Sequence, residues 1–141
     1  MKYKNILIIM IITILFTGCS AFKKDELLNE GKLALEKHEY TKAQELLSQA
    51  LTADSTNENA RSMYIQAVKM KDAAEYEEKK NYDKAIACLE AIENLKGGSS
   101  DIKNEASKKK KELIKLNEEY KKAQEERKEN AKDASSQGQY K

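Results

Sequence analysis

Residues able to do covalent or metal chemistry are few in this 141-residue chain: two cysteines, one histidine and a large stock of carboxylates. A thiol can be acylated, oxidised to a disulfide or bound to a metal, and which of these it does depends on its surroundings. Cys19 follows Gly18 at the end of an apolar run, whereas Cys88 sits within a helical pattern beside Ala85, Leu89 and Ile92. With Cys19 set apart, Cys88 has no partner for an internal disulfide. A buried, inert thiol is its preferred reading over pairing with a second chain. His38 precedes Glu39, but a zinc-protease helix would need another His where Lys42 stands. Acidic residues alternate with lysines at three- and four-residue spacing, the pattern of solvated helix faces. No Gly-rich phosphate loop or nucleophile–base pair is visible. Catalysis and metal binding are therefore not expected.

The elements that must position these residues begin with an export segment. Lys2 and Lys4 precede the apolar run Ile6–Phe16. That run fits the h-region of a signal peptide and is short of the roughly 20 apolar residues a transmembrane helix needs. Phe16-Thr17-Gly18-Cys19 resembles the bacterial lipobox, with Phe16 where Leu is usual. The resemblance implies a signal peptide over residues 1–18 and a lipidated, palmitate-bearing N-terminus at Cys19, with a short tether over 19–23. It places the chain on the extracytoplasmic face of the cell membrane, in the cell envelope. The only non-protein group implied is the covalent diacylglycerol and acyl lipid on Cys19, and two chains suffice for stable anchoring where one is marginal. An ordinary secretory peptide or an uncleaved anchor is the alternative. From Cys19 onward 24 basic residues face 24 acidic ones, so nothing points to nucleic acid.

Charged residues make up 35% of the chain, with no Pro and no Trp, a composition of helical repeats or long solvated helices. Glu30–Leu51 carries a frame of Tyr40, Ala43, Leu47 and Ala50 that recurs as Tyr82, Ala85, Leu89 and Ile92. This frame resembles the tetratricopeptide (TPR) repeat, a helix-turn-helix with small residues where helices cross. The predicted fold is all-α: two TPR-like helix-turn-helix repeats of α-solenoid type over residues 24–96, then a long charged C-terminal helix. In the first repeat Leu27, Leu28, Gly31, Ala34 and Leu35 share a face, and a turn over Lys37–Tyr40 leads to a helix started by a Thr41/Gln44 capping box. Ser55 with Glu58 starts an overlong helix reaching about Lys80, in which Met63 and Met70 are core fillers and Ala73 takes the slot of Gly31. Asn81 or Asp83 caps the helix after it.

Gly97–Asp101 reads as a hinge, residues 102–133 as a capping or coiled-coil-like helix, and 134–141 as a disordered tail. Ala106, Leu113, Leu116, Tyr120 and Ala123 form a thin seam. The first half packs on the preceding helix, and the chain beyond about Ala123 projects into solvent. Lys108–Lys111 is a basic run without a dedicated face. The resemblance implies a protein-binding adaptor whose protein or peptide partner lies on the concave side. There Leu28, Lys32, Leu35 and Glu36 stand in the first repeat, and Met70, Ala74 and Glu77 in the second. Two repeats are fewer than a stable stack normally needs. The alternatives are thus a structural lipoprotein that oligomerises through its C-terminal helix, or a component of an envelope-protein assembly machine.

Overall fold

In the computed structural model, residues 25–137 are described, and the regular structure among them is entirely α-helical. The signal segment, Cys19 and its tether lie outside the described residues, as do the last four positions. Helix α1 covers residues 25–36. It is followed by α2 (Tyr40–Ala53), α3 (Glu58–Glu78), α4 (Tyr82–Glu93) and α5 (Ser100–Gln137). α5 carries on past Asp133, so Ala134–Gln137 are helical where an unstructured tail was expected.

Each helix buries one stripe at three- and four-residue spacing, the period that keeps residues on one face. In α2 the stripe is Ala43, Leu47 and Ala50, and in α4 it is Tyr82, Ala85, Cys88, Leu89 and Ile92. The long α3 buries Ala60, Met63, Ala67, Met70 and Ala73. All of these except Ala50 and Ala60 join Ala34 and Leu35 of α1 and Ile102, Ala106 and Leu113 of α5 in one apolar cluster. Small residues recur because successive helices are joined by very short turns and must approach closely. At Gly31 an added Cβ would lie 2.7 Å from Leu47 Cγ, inside contact distance, so the α1–α2 crossing requires glycine there.

The turns on either side of this core are built alike. α1 ends with the Glu39 N–H on the Ala34 carbonyl and His38 at φ +62°; α3 ends with the Asn81 N–H on the Tyr76 carbonyl and Lys80 at φ +55°. Both are six-to-one helix-terminating turns with a left-handed residue that glycine usually supplies. The start signals differ from expectation. α2 begins at Tyr40 behind Glu39, which makes no side-chain cap, so Thr41 lies inside the helix. α3 is capped by Asn57, whose side chain accepts from the Ala60 N–H, in place of Ser55. Asn81 caps α4 by accepting from the Lys84 N–H at 3.4 Å.

Consecutive helices run antiparallel, and α5 returns along α4: Lys110 pairs with Glu93, while Asn117 donates to Asp83 at 2.7 Å. Only part of α5 is held this way. Ile102, Ala106, Leu113 and Asn117 are buried, whereas residues 125–135 are exposed all round.

Candidate functional site

Of residues 97–101, expected as a hinge, Ser100 and Asp101 already belong to α5, and the loop before them is held by several side-chain hydrogen bonds. Gly97 and Gly98 both have positive φ (95° and 84°), which turns the chain sharply out of α4. Gln66, fully buried on α3, donates from Nε2 to the Ser99 carbonyl at 2.9 Å and accepts the Ser99 N–H at Oε1 at 2.8 Å. Asn59 accepts the Gly98 N–H, and Ser62 donates to the Lys96 carbonyl. The Ser99 hydroxyl reaches back to Glu36 of α1 at 2.8 Å. Paired backbone groups explain how Ser99 can be buried without penalty. The loop is a fixed joint that sets where α5 starts.

That placement decides what is left of the expected concave contact side. Leu35 (0% exposed) and Met70 (4%) are core residues and hold helices together. Leu28 packs against the same cluster from its edge. Glu36 accepts from Ser99 and lies 3.7 Å from exposed Lys32. Glu77 is paired with Lys109 of α5 at 2.7 Å. Ala74 is exposed. So α5 engages Glu77 and the loop before it engages Glu36, while the core takes Leu35 and Met70 with Leu28 at its edge, which leaves Lys32 and Ala74 exposed. Beside them, His38 Nε2 lies 2.9 Å from Glu105, tying the first turn to α5. Burial, with Glu105 beside it, pushes the Tyr40 hydroxyl up to about 12.

The basic run of α5 is also partly spent inside the molecule. Lys109 pairs with Glu77 and Lys110 with Glu93, while Lys108 and Lys111 remain exposed. The Lys110 ammonium holds the Glu93 carboxyl below the usual carboxylate range. Hydrogen bonds from Lys121 and then Asn117 do the same for Asp83. Tyr120 of α5 meets Tyr82 of α4 edge-on, with centroids 5.4 Å apart. Cys88 is a free thiol, 8% exposed, and desolvation raises its pKa. Among the described residues no group of His, Cys, Asp and Glu could hold a metal ion. No described helix is long and apolar enough to cross a membrane.

Two structural residues escape the sequence pattern. Gln66 stands three after Met63 and four before Met70, on the apolar face of α3, and Asn117 stands four after Leu113 on that of α5. A polar residue on an apolar face signals a buried hydrogen bond. The seam of α5 accordingly runs through Leu113, Asn117 and Tyr120, and Leu116 is turned out at 40% exposure. No family model matches the chain, and neither does any curated protein or solved structure.

Proposed function

We propose that this chain is a membrane-tethered lipoprotein whose TPR-like helical stack is a protein-binding module, working by contact and without catalysis. The observation that carries this reading is α5. The helix has 38 residues, about 57 Å at 1.5 Å per residue. Its first half is packed on the body, while residues 125–135 are exposed all round and carry no run of apolar side chains. An arm held so rigidly at its base and so open at its tip supports a role in presenting surface to a partner. The internal use of Leu35, Met70, Glu36 and Glu77 supports a partner site on the outer face and arm, away from the concave side.

The lipid anchor rests on the resemblance around Cys19. Its test is metabolic labelling with a palmitate analogue: label on the wild-type chain and none on Cys19→Ala is expected, and equal labelling would sink it. A photo-crosslinker placed at Lys115, Lys128 or Ala134 in intact cells tests the module. Defined protein adducts are expected, and none from any position would overturn the reading. A second reading, self-assembly through α5, is favoured by Ile114 (39% exposed) and Leu116 (40%), which flank its buried stripe on either side. Sedimentation over a range of concentrations decides it, since a monomer throughout removes it.

A further inference from the structure

Where α5 leaves the body, a cleft of about 430 Å³ opens between the α3–α4 turn and the α5 face from Asn117 to Lys128. The edge-on Tyr82 and Tyr120 rings stand in its lining. Lys79 and Lys80 come from the turn and Lys121 and Lys128 from α5, against two carboxylates, Asp83 and Glu125. Asp83 is already taken by Lys121 at 2.9 Å and by Asn117. Lys79 is paired with Glu75 outside the cleft, while among the described residues Lys80 and Lys128 make no ion pair, so against Glu125 the lining keeps a cationic surplus.

We propose that this cleft docks an acidic, extended segment of a partner protein, with carboxylates on Lys80 and Lys128 and an apolar residue against the tyrosine rings. Charge complementarity argues for this occupant. A lysine ammonium is a point charge on a flexible stem that accepts carboxylates from many directions. Lysines drawn from two elements sum their fields over the whole cleft. Lys121 and Lys128 are about 10 Å apart along the helix axis, the reach of about three extended residues. That spread suits several carboxylates along a chain better than one small anion. The proposal rests on the reading of the chain as a contact module and names the chemistry of its partner.

The test uses the full chain in mild detergent and a fluorescein-labelled decapeptide carrying Glu at every third position with Leu and Ser between. Fluorescence anisotropy should show binding that weakens with salt, and no binding of the same peptide with Gln for Glu. The double variant Lys80→Glu/Lys128→Glu should bind roughly tenfold more weakly or worse, tenfold being about 1.4 kcal/mol. Lys71→Glu/Lys115→Glu, exposed lysines outside the cleft, should bind as wild type. Equal binding of the Gln peptide, or equal loss in both double variants, overturns the proposal. A concentration-dependent dimer abolished by Lys80→Glu/Lys128→Glu also overturns it, because the occupant is then a second copy. Cellular crosslinks from Ala134 but none from Lys80 or Lys128 sink the cleft and leave the contact module standing.

Discussion

The two helical pairs share one frame and differ in what covers it. His38 and Lys80 stand 42 positions apart in the same left-handed turn, and Tyr40 and Tyr82 open the following helices. Around the first turn the neighbours are few: an uncapped Glu39, and His38 exposed by about half and touching Glu105. Around the second pair nearly every polar group has a task. Asn81 caps α4, Asp83 is gripped from α5, and Gln66 of α3 clamps the loop that launches α5. One backbone design can therefore end a stack or carry it onward, and polar side chains decide which. The second pair carries α5, and disturbing it should have the larger consequences.

Gln66→Leu is expected to do most damage. Leucine fills the volume but leaves the buried Ser99 N–H and carbonyl without partners, at about 1–3 kcal/mol for each. A loss of roughly 2–4 kcal/mol in urea unfolding is expected, with α5 exchanging its amide hydrogens earlier than α2. A loss under 1 kcal/mol would mean that Ser99 finds water and that the clamp is dispensable.

In the first pair the sensitive point is a contact between helices. Gly31→Val puts branched carbons where even a Cβ meets Leu47 at 2.7 Å, and Leu47 is fully buried and cannot retreat. Overpacking of this kind costs roughly 1–3 kcal/mol. The corresponding slot in the second pair holds Ala73, where Ala73→Gly should cost only about 1 kcal/mol through helix propensity. Equal effects at the two sites would show that the pairs cross at the same distance. The caps give a finer contrast. Asn81→Ala should cost about 1 kcal/mol, while Glu39→Ala, with no cap bond to lose, should be close to neutral; Glu39→Asn would stabilise if the first turn can accept the same cap.

Much of this arrangement was legible in the residues. The stripes of α2 and α4 follow from period alone, since Ala43, Leu47, Ala85 and Leu89 all have 0% exposure. The helical end of α3 near Lys80 and the break at Gly97–Gly98 were equally plain. What periodicity could not show was long-range hydrogen bonding. Gly97–Asp101 looks like a hinge because two glycines confer freedom, and only the distant Asn59, Ser62 and Gln66 remove it. Some of the expected contact residues are used inside the molecule for a related reason. Glu36 and Glu77 look like free charges until the loop before α5 brings Ser99 to the first and α5 brings Lys109 to the second. Caps were misplaced because Ser55 and Thr41 have the right side chains, while the turns delay the start of α3 to Glu58 and advance that of α2 to Tyr40.

The smallest effects should separate the two pairs by pH. Asp83 and Glu93 of the second pair have carboxyl pKa values lowered by Lys121 and Asn117, and by Lys110. A group with a lowered folded pKa contributes stability above its unfolded value of about 4 and loses it as pH falls through the folded value. Asp83 is exposed and Glu93 only half-buried, so the effect should be modest. Tyr40 of the first pair behaves oppositely, being raised to about 12. Its contribution is full below the unfolded tyrosine value of about 10 and disappears as pH rises toward the folded one. Melting temperature against pH should therefore fall less steeply in acid for Asp83→Asn/Glu93→Gln than for wild type, and less steeply above pH 10 for Tyr40→Phe. If Tyr40→Phe alters the acid limb, or the double variant the alkaline one, the two pairs are coupled through α5, and Glu105, which contacts His38 from α5, is the residue through which the coupling would run.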